Sequence, residues 1–73
     1  GLNGVMVYPN PSRGLVNIQG YKTMRVEVIN ALGQRVKTLV LNAENGYKAE
    51  LNHVTSGIYF IQAEGKTQRL VIE

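Results

Sequence analysis

The chain has 73 residues, of which 44% are hydrophobic and 18% charged, with a formal net charge of +3 and no cysteine. A domain this short buries only roughly 60% of its unfolded surface, so its core must hold without disulfides, and thiolate chemistry is excluded. The hydrophobic fraction is that of a globular domain and not a disordered tail. No apolar run approaches the roughly 20 residues that span a bilayer, and no signal-peptide pattern opens the chain, so direct membrane insertion is not expected. The basic residues are scattered and interleaved with Glu27, Glu44, Glu50 and Glu64. A nucleic-acid face concentrates basic residues with stacking aromatics between them, and this pattern does not.

Gly1-Leu2-Asn3-Gly4 reads as a linker remnant (1–4), which makes 5–73 one domain at the edge of a larger protein. Val5 to Tyr8 is a short first strand. Tyr8-Pro9-Asn10-Pro11 then forces the chain out of any strand, because each proline fixes φ and removes a backbone donor. The chain turns through Ser12 and Arg13 and re-enters at Gly14, where a positive φ costs little. Leu15 to Gln19 is the second strand, with Val16 and Ile18 on one face. Met24 to Ile29 alternates, pointing Met24, Val26 and Val28 inward and Arg25 and Glu27 outward.

Asn30-Ala31-Leu32-Gly33 closes a hairpin, with Gly33 suited to a left-handed position. Gln34 to Leu41 is the fourth strand, with Val36 and Leu39 to Leu41 as its apolar supply. Asn45-Gly46 marks the next turn, and Tyr47, Ala49 and Leu51 share a face of the fifth strand. Ile58 to Glu64 and Lys66 to Glu73 form a last hairpin about Gly65. Helical periodicity of useful length is absent. Seven short strands with regularly spaced turns predict an all-β fold, a sandwich of about seven antiparallel strands, since one sheet alone leaves its apolar face wet.

Leu51 ends a strand, a short connection crosses over, and Tyr59 stands just inside the next strand after Gly57. That spacing suits a tyrosine corner, in which the phenol packs beneath the crossover and its hydroxyl bonds back to the backbone. A plain core aromatic is the other reading, and both bury Tyr59. The catalytic inventory is thin. His53 is the single histidine, and a metal or an acid–base site needs several converging groups. No serine has a histidine near it in a nucleophile motif, and no glycine-rich phosphate loop precedes a helix. We therefore expect no enzyme, no metal and no cofactor.

Four motifs occur in order: Tyr8-Pro9-Asn10-Pro11 with Gly14; Val26 to Val36 around Leu32-Gly33-Gln34; Ser56-Gly57-Ile58-Tyr59-Phe60-Ile61; and Arg69-Leu70-Val71-Ile72-Glu73. Together they closely resemble the C-terminal sorting domain of the Bacteroidetes type IX (Por) secretion system, in its type A form. The resemblance runs from Tyr8 to Glu73. One departure is that only Arg69 directly precedes the apolar triplet, where family members often carry two basic residues, so Lys66 joins the candidates. The resemblance implies an immunoglobulin-like sandwich that directs a larger cargo through the periplasm to the outer-membrane translocon. It also implies a cell-surface sortase that usually removes the domain while the cargo is anchored to lipopolysaccharide, leaving the product at the cell surface or outside the cell. On this reading Tyr8, Pro9, Asn10, Pro11, Gly14, Gly33, Gly57, Tyr59, Leu70 and Ile72 are mainly structural. The alternative is an adhesive or structural immunoglobulin-like module, retained on the mature protein and binding glycan or protein.

A two-residue Glu64-Gly65 turn sets the register of the last hairpin. Ala63 then faces Lys66, Ile61 faces Gln68, and Tyr59 faces Leu70 on the inner side. On the outer side Ile58 pairs with Val71, Phe60 with Arg69 and Gln62 with Thr67, with the Arg69 guanidinium able to lie on the Phe60 ring. Exposed apolar clusters rimmed by charge mark interaction sites. The recognition residues expected are Ile58, Phe60, Arg69 and Val71, with Lys66 and Glu73 added from the terminal motif. A second reading has this face covered by a neighbouring loop or by the preceding domain of a longer protein. The isolated domain is expected to be a monomer or a weak homodimer.

Overall fold

The computed structural model describes residues 4–73, so most of the linker expected at 1–4 lies outside the described residues. Seven strands follow one another: β1 (Met6–Tyr8), β2 (Val16–Gln19), β3 (Met24–Asn30), β4 (Arg35–Leu41), β5 (Lys48–Leu51), β6 (Gly57–Ala63) and β7 (Lys66–Ile72). One 3-10 turn, Ala43–Asn45, stands between β4 and β5, where only a turn was expected. Asn42 and Asn45 each take a hydrogen bond from the other's backbone N–H, and Gly46 ends the turn in a left-handed conformation.

The strands form two antiparallel sheets, in the orders β1-β2-β5 and β4-β3-β6-β7. Hairpins join β1 to β2, β3 to β4, and β6 to β7, while β2–β3, β4–β5 and β5–β6 cross between sheets. This is an immunoglobulin-like β-sandwich. Its core follows from strand alternation, because every second residue of each strand points between the sheets. Val16, Ile18, Val26, Val28, Leu41, Ile61 and Leu70 are the fully buried side chains, and Val5, Val7, Met24, Leu51, Tyr59, Ala63 and Ile72 complete the layer.

β4 departs from expectation. It pairs with β3 as Val28↔Lys37 and then Ile29↔Arg35, so Val36 is an extra residue in a bulge. A bulged residue has no partner opposite and its strand bends there. Val36 is accordingly 49% exposed, and Val40, opposite the outward Arg25, is 52% exposed, so β4 supplies the core chiefly through Leu41 and partly through Leu39.

Candidate recognition surface

The terminal hairpin has the expected register: Ile58↔Val71, Tyr59↔Leu70, Phe60↔Arg69, Ile61↔Gln68, Gln62↔Thr67 and Ala63↔Lys66. Tyr59, Ile61, Leu70 and Ile72 are buried, so their alternates Ile58, Phe60, Arg69 and Val71 share the outer face. Ile58 and Arg69 are exposed, while Phe60 and Val71 are half-buried. The Arg69 guanidinium makes no cation–π contact with Phe60; among the described residues that contact is Lys22 over Tyr21, at 5.6 Å from the ring centroid. At so open a position the guanidinium gains more from water than from the ring.

The outer face extends beyond the hairpin. Ile29 on β3 stands opposite both Phe60 and Arg35, which continues the apolar row across the sheet and closes it with a second guanidinium. Glu27, in the next row, accepts from the Thr38 hydroxyl at 2.6 Å and lies 3.7 Å from Arg35. The same face runs into a hollow of about 340 Å³ lined by Arg25, Glu27, Gln62, Glu64, Lys66 and Thr67. Ile29 and Arg35 were not singled out from the sequence. Strand alternation alone placed Ile29 outward, but its partner across β4 depended on the bulge.

Lys66 and Glu73 stand apart from the apolar row, Lys66 reaching only the hollow beyond it. Lys66 opposes Ala63 and so has the inner parity, at the turn end of the hairpin. Glu73 lies at the other end, where its N–H donates to the Ser12 carbonyl at 2.7 Å.

The proline motif sits directly against the terminal strand. Asn10 donates from Nδ2 to the Arg69 carbonyl at 2.8 Å and accepts at Oδ1 from the Val71 N–H at 3.1 Å. The Ser12 N–H donates to the Val71 carbonyl at 2.9 Å, making a one-residue parallel bridge with Ile72. Both prolines have cis peptide bonds. The Ser12 hydroxyl, buried beneath the turn, donates to the Leu15 carbonyl at 2.6 Å and accepts from the Gly14 N–H at 3.3 Å. This segment's prolines and Gly14 predict a turn, and its bonding to residues some 60 positions away has no local signature.

The remaining family-motif residues support the frame. Tyr59 donates from its hydroxyl to the Thr55 carbonyl at 2.8 Å, which is the tyrosine corner. Gly14, Gly33 and Gly57 have φ of 120°, 83° and 151°. Tyr8 is exposed at the end of β1. His53 lines an apolar groove of about 250 Å³ with Val36, Leu51, Val54 and Tyr59, where the one nearby phenol is already engaged by Thr55. Among the described residues no three of His, Cys, Asp or Glu converge on a point that could hold a metal.

A family model described as the secretion system C-terminal sorting domain matches residues 6–73. No curated protein matches the chain.

Proposed function

Since the chain belongs to the family of secretion system C-terminal sorting domains, handled by the type IX system and exported to the cell surface or beyond, we propose that the outer face of its terminal hairpin is what the translocon reads. A sorting-domain family is not an enzyme family. The observation that carries the proposal is the outward row Ile29–Phe60 with Ile58 and Val71 beside it, bounded by Arg35 and Arg69. Apolar side chains left half-wet on a sheet face are stabilised when a partner covers them, and the flanking guanidinium groups set orientation and reject cationic surfaces. In this proposal residues 5–73 form the module that accompanies a larger cargo through the periplasm. A surface sortase then separates it from the cargo, which is anchored to lipopolysaccharide.

The test is fusion of residues 1–73 to a periplasmic reporter in a host with a type IX system, followed by detection of the reporter at the surface. The unmodified fusion reaches the surface, while Arg69→Glu and Ile58→Asp fusions stay periplasmic although the domain still folds. A folded double variant delivered at the unmodified level would show that another face is recognised. An adhesive module retained on its product instead remains attached to the reporter and confers no export.

A further inference from the structure

The outer edge of β7 carries backbone groups that β6 does not use. In an antiparallel pair, alternate residues direct their N–H and C=O groups to opposite edges. Arg69, Val71 and Glu73 direct theirs outward, and all three are bonded by Asn10 or Ser12. The motif is suited to this. Pro9 and Pro11 have no N–H, so between Tyr8 and Ser12 Asn10 alone carries a backbone donor. A primary amide supplies a donor and an acceptor in one plane, as a peptide unit does, and the Asn10 side chain meets Arg69 and Val71 as a neighbouring strand would. The match ends at Arg69. Its N–H, and the outward groups of Thr67, have no hydrogen-bond partner among the described residues.

We propose that the outer edge of β7 is a strand-addition site occupied in cis by Asn10–Ser12, and that this clasp excludes a second copy of the same chain. An unpaired edge is a template for another strand, and folds commonly cover it. The second copy is the occupant because the seated segment shows that the edge accepts extended backbone. Two β7 edges can also pair antiparallel about a two-fold axis, which is the self-complementary geometry of a closed dimer. The open stretch at Thr67 and Arg69 is where such pairing begins, and the clasp stops it from spreading toward Glu73. This inference is independent of which face the translocon reads.

The experiment uses the 73-residue chain, with amide exchange followed by NMR and association by sedimentation equilibrium. The unmodified protein sediments as a monomer with a protected Val71 N–H. Asn10→Ala speeds exchange at Val71 by about tenfold, the effect of losing roughly one hydrogen bond, and leaves Leu70 and Ile72 protected by β6. It also produces a concentration-dependent dimer, which Thr67→Pro abolishes by removing an outward N–H without touching the β6 ladder. Should Asn10→Ala not fold, Asn10→Asp tests the same point, because it keeps an acceptor for Val71 and denies a donor to Arg69. A folded, monomeric variant, unchanged exchange at Val71, or a dimer indifferent to Thr67→Pro each overturns the proposal.

Discussion

Gly14 and Tyr59 show how much of this domain rests on single residues. At Gly14, φ is 120°, and a Cβ built there would meet nothing closer than the Val54 carbonyl oxygen at 3.8 Å. The penalty of substitution is therefore backbone strain and not a clash. Gly14→Thr should cost about 1 kcal/mol or more, read as a lowered denaturation midpoint with an unchanged denaturant slope. Tyr59 separates its ring from its hydroxyl. Tyr59→Phe removes the bond to Thr55 and should cost about 1 kcal/mol, whereas Tyr59→Ala empties an aromatic site and should cost about 3–5 kcal/mol. A small domain has about that much to lose, so Tyr59→Ala should be largely unfolded by circular dichroism.

Within the terminal hairpin, neighbouring residues have opposite duties. Leu70 is fully buried, and Leu70→Ala should cost about 2–5 kcal/mol, so any export defect it causes follows from lost structure. Ile58 is 43% exposed on the outer face, and Ile58→Asp should shift the thermal midpoint little while impairing surface delivery. Ile58 is a cleaner probe than Val71, whose outward N–H and carbonyl are bonded by Asn10 and Ser12. The turn of this hairpin is tied to the β2–β3 loop by an ion pair between Lys22 and Glu64, both about half exposed. Glu64, by hydrogen bond and by charge, raises the Lys22 pKa above 10.5. A raised lysine pKa stabilises the fold below the unfolded value and ceases to do so as pH rises through the folded one. Lys22→Met should accordingly leave stability nearly unchanged at neutral pH in salt, since exposed pairs contribute little.

At the scale of the whole molecule, two thin sheets share one apolar layer, and the segment after β1 meets β7 at its rim. The Pro9–Ser12 segment leaves one sheet and bonds to the last strand of the other, which ties β1 and β7 together. Truncating the chain after Gln68 should therefore do more than shorten β7. It removes Leu70 and Ile72 from the core and leaves Asn10 and Ser12 without partners, so the remaining chain should lose its cooperative thermal transition. The same contact places the family's first and last motifs side by side, joined by four hydrogen bonds of 2.7–3.1 Å.

Period-two alternation by itself determined the all-β class, the inward residues Met24, Val26 and Val28, and the partners across the Glu64-Gly65 turn, because a short turn and a pleat leave one register. The spacing of Gly57 and Tyr59 after Leu51 likewise pointed to the tyrosine corner, a local bond spanning four residues. Folding decided the rest. The bulge left Val36 without a partner and exposed beside the groove it shares with Leu51 and Tyr59, since a strand's fit to its neighbour depends on twist that the strand alone does not encode. Ile29 joined the outer row, and Arg35 bounded it, only through pairing across three strands. Asn10 offered no sign of its partners, because a side-chain amide can bond to any edge that tertiary structure brings within about 3 Å, and only the closed sandwich brings β7 there.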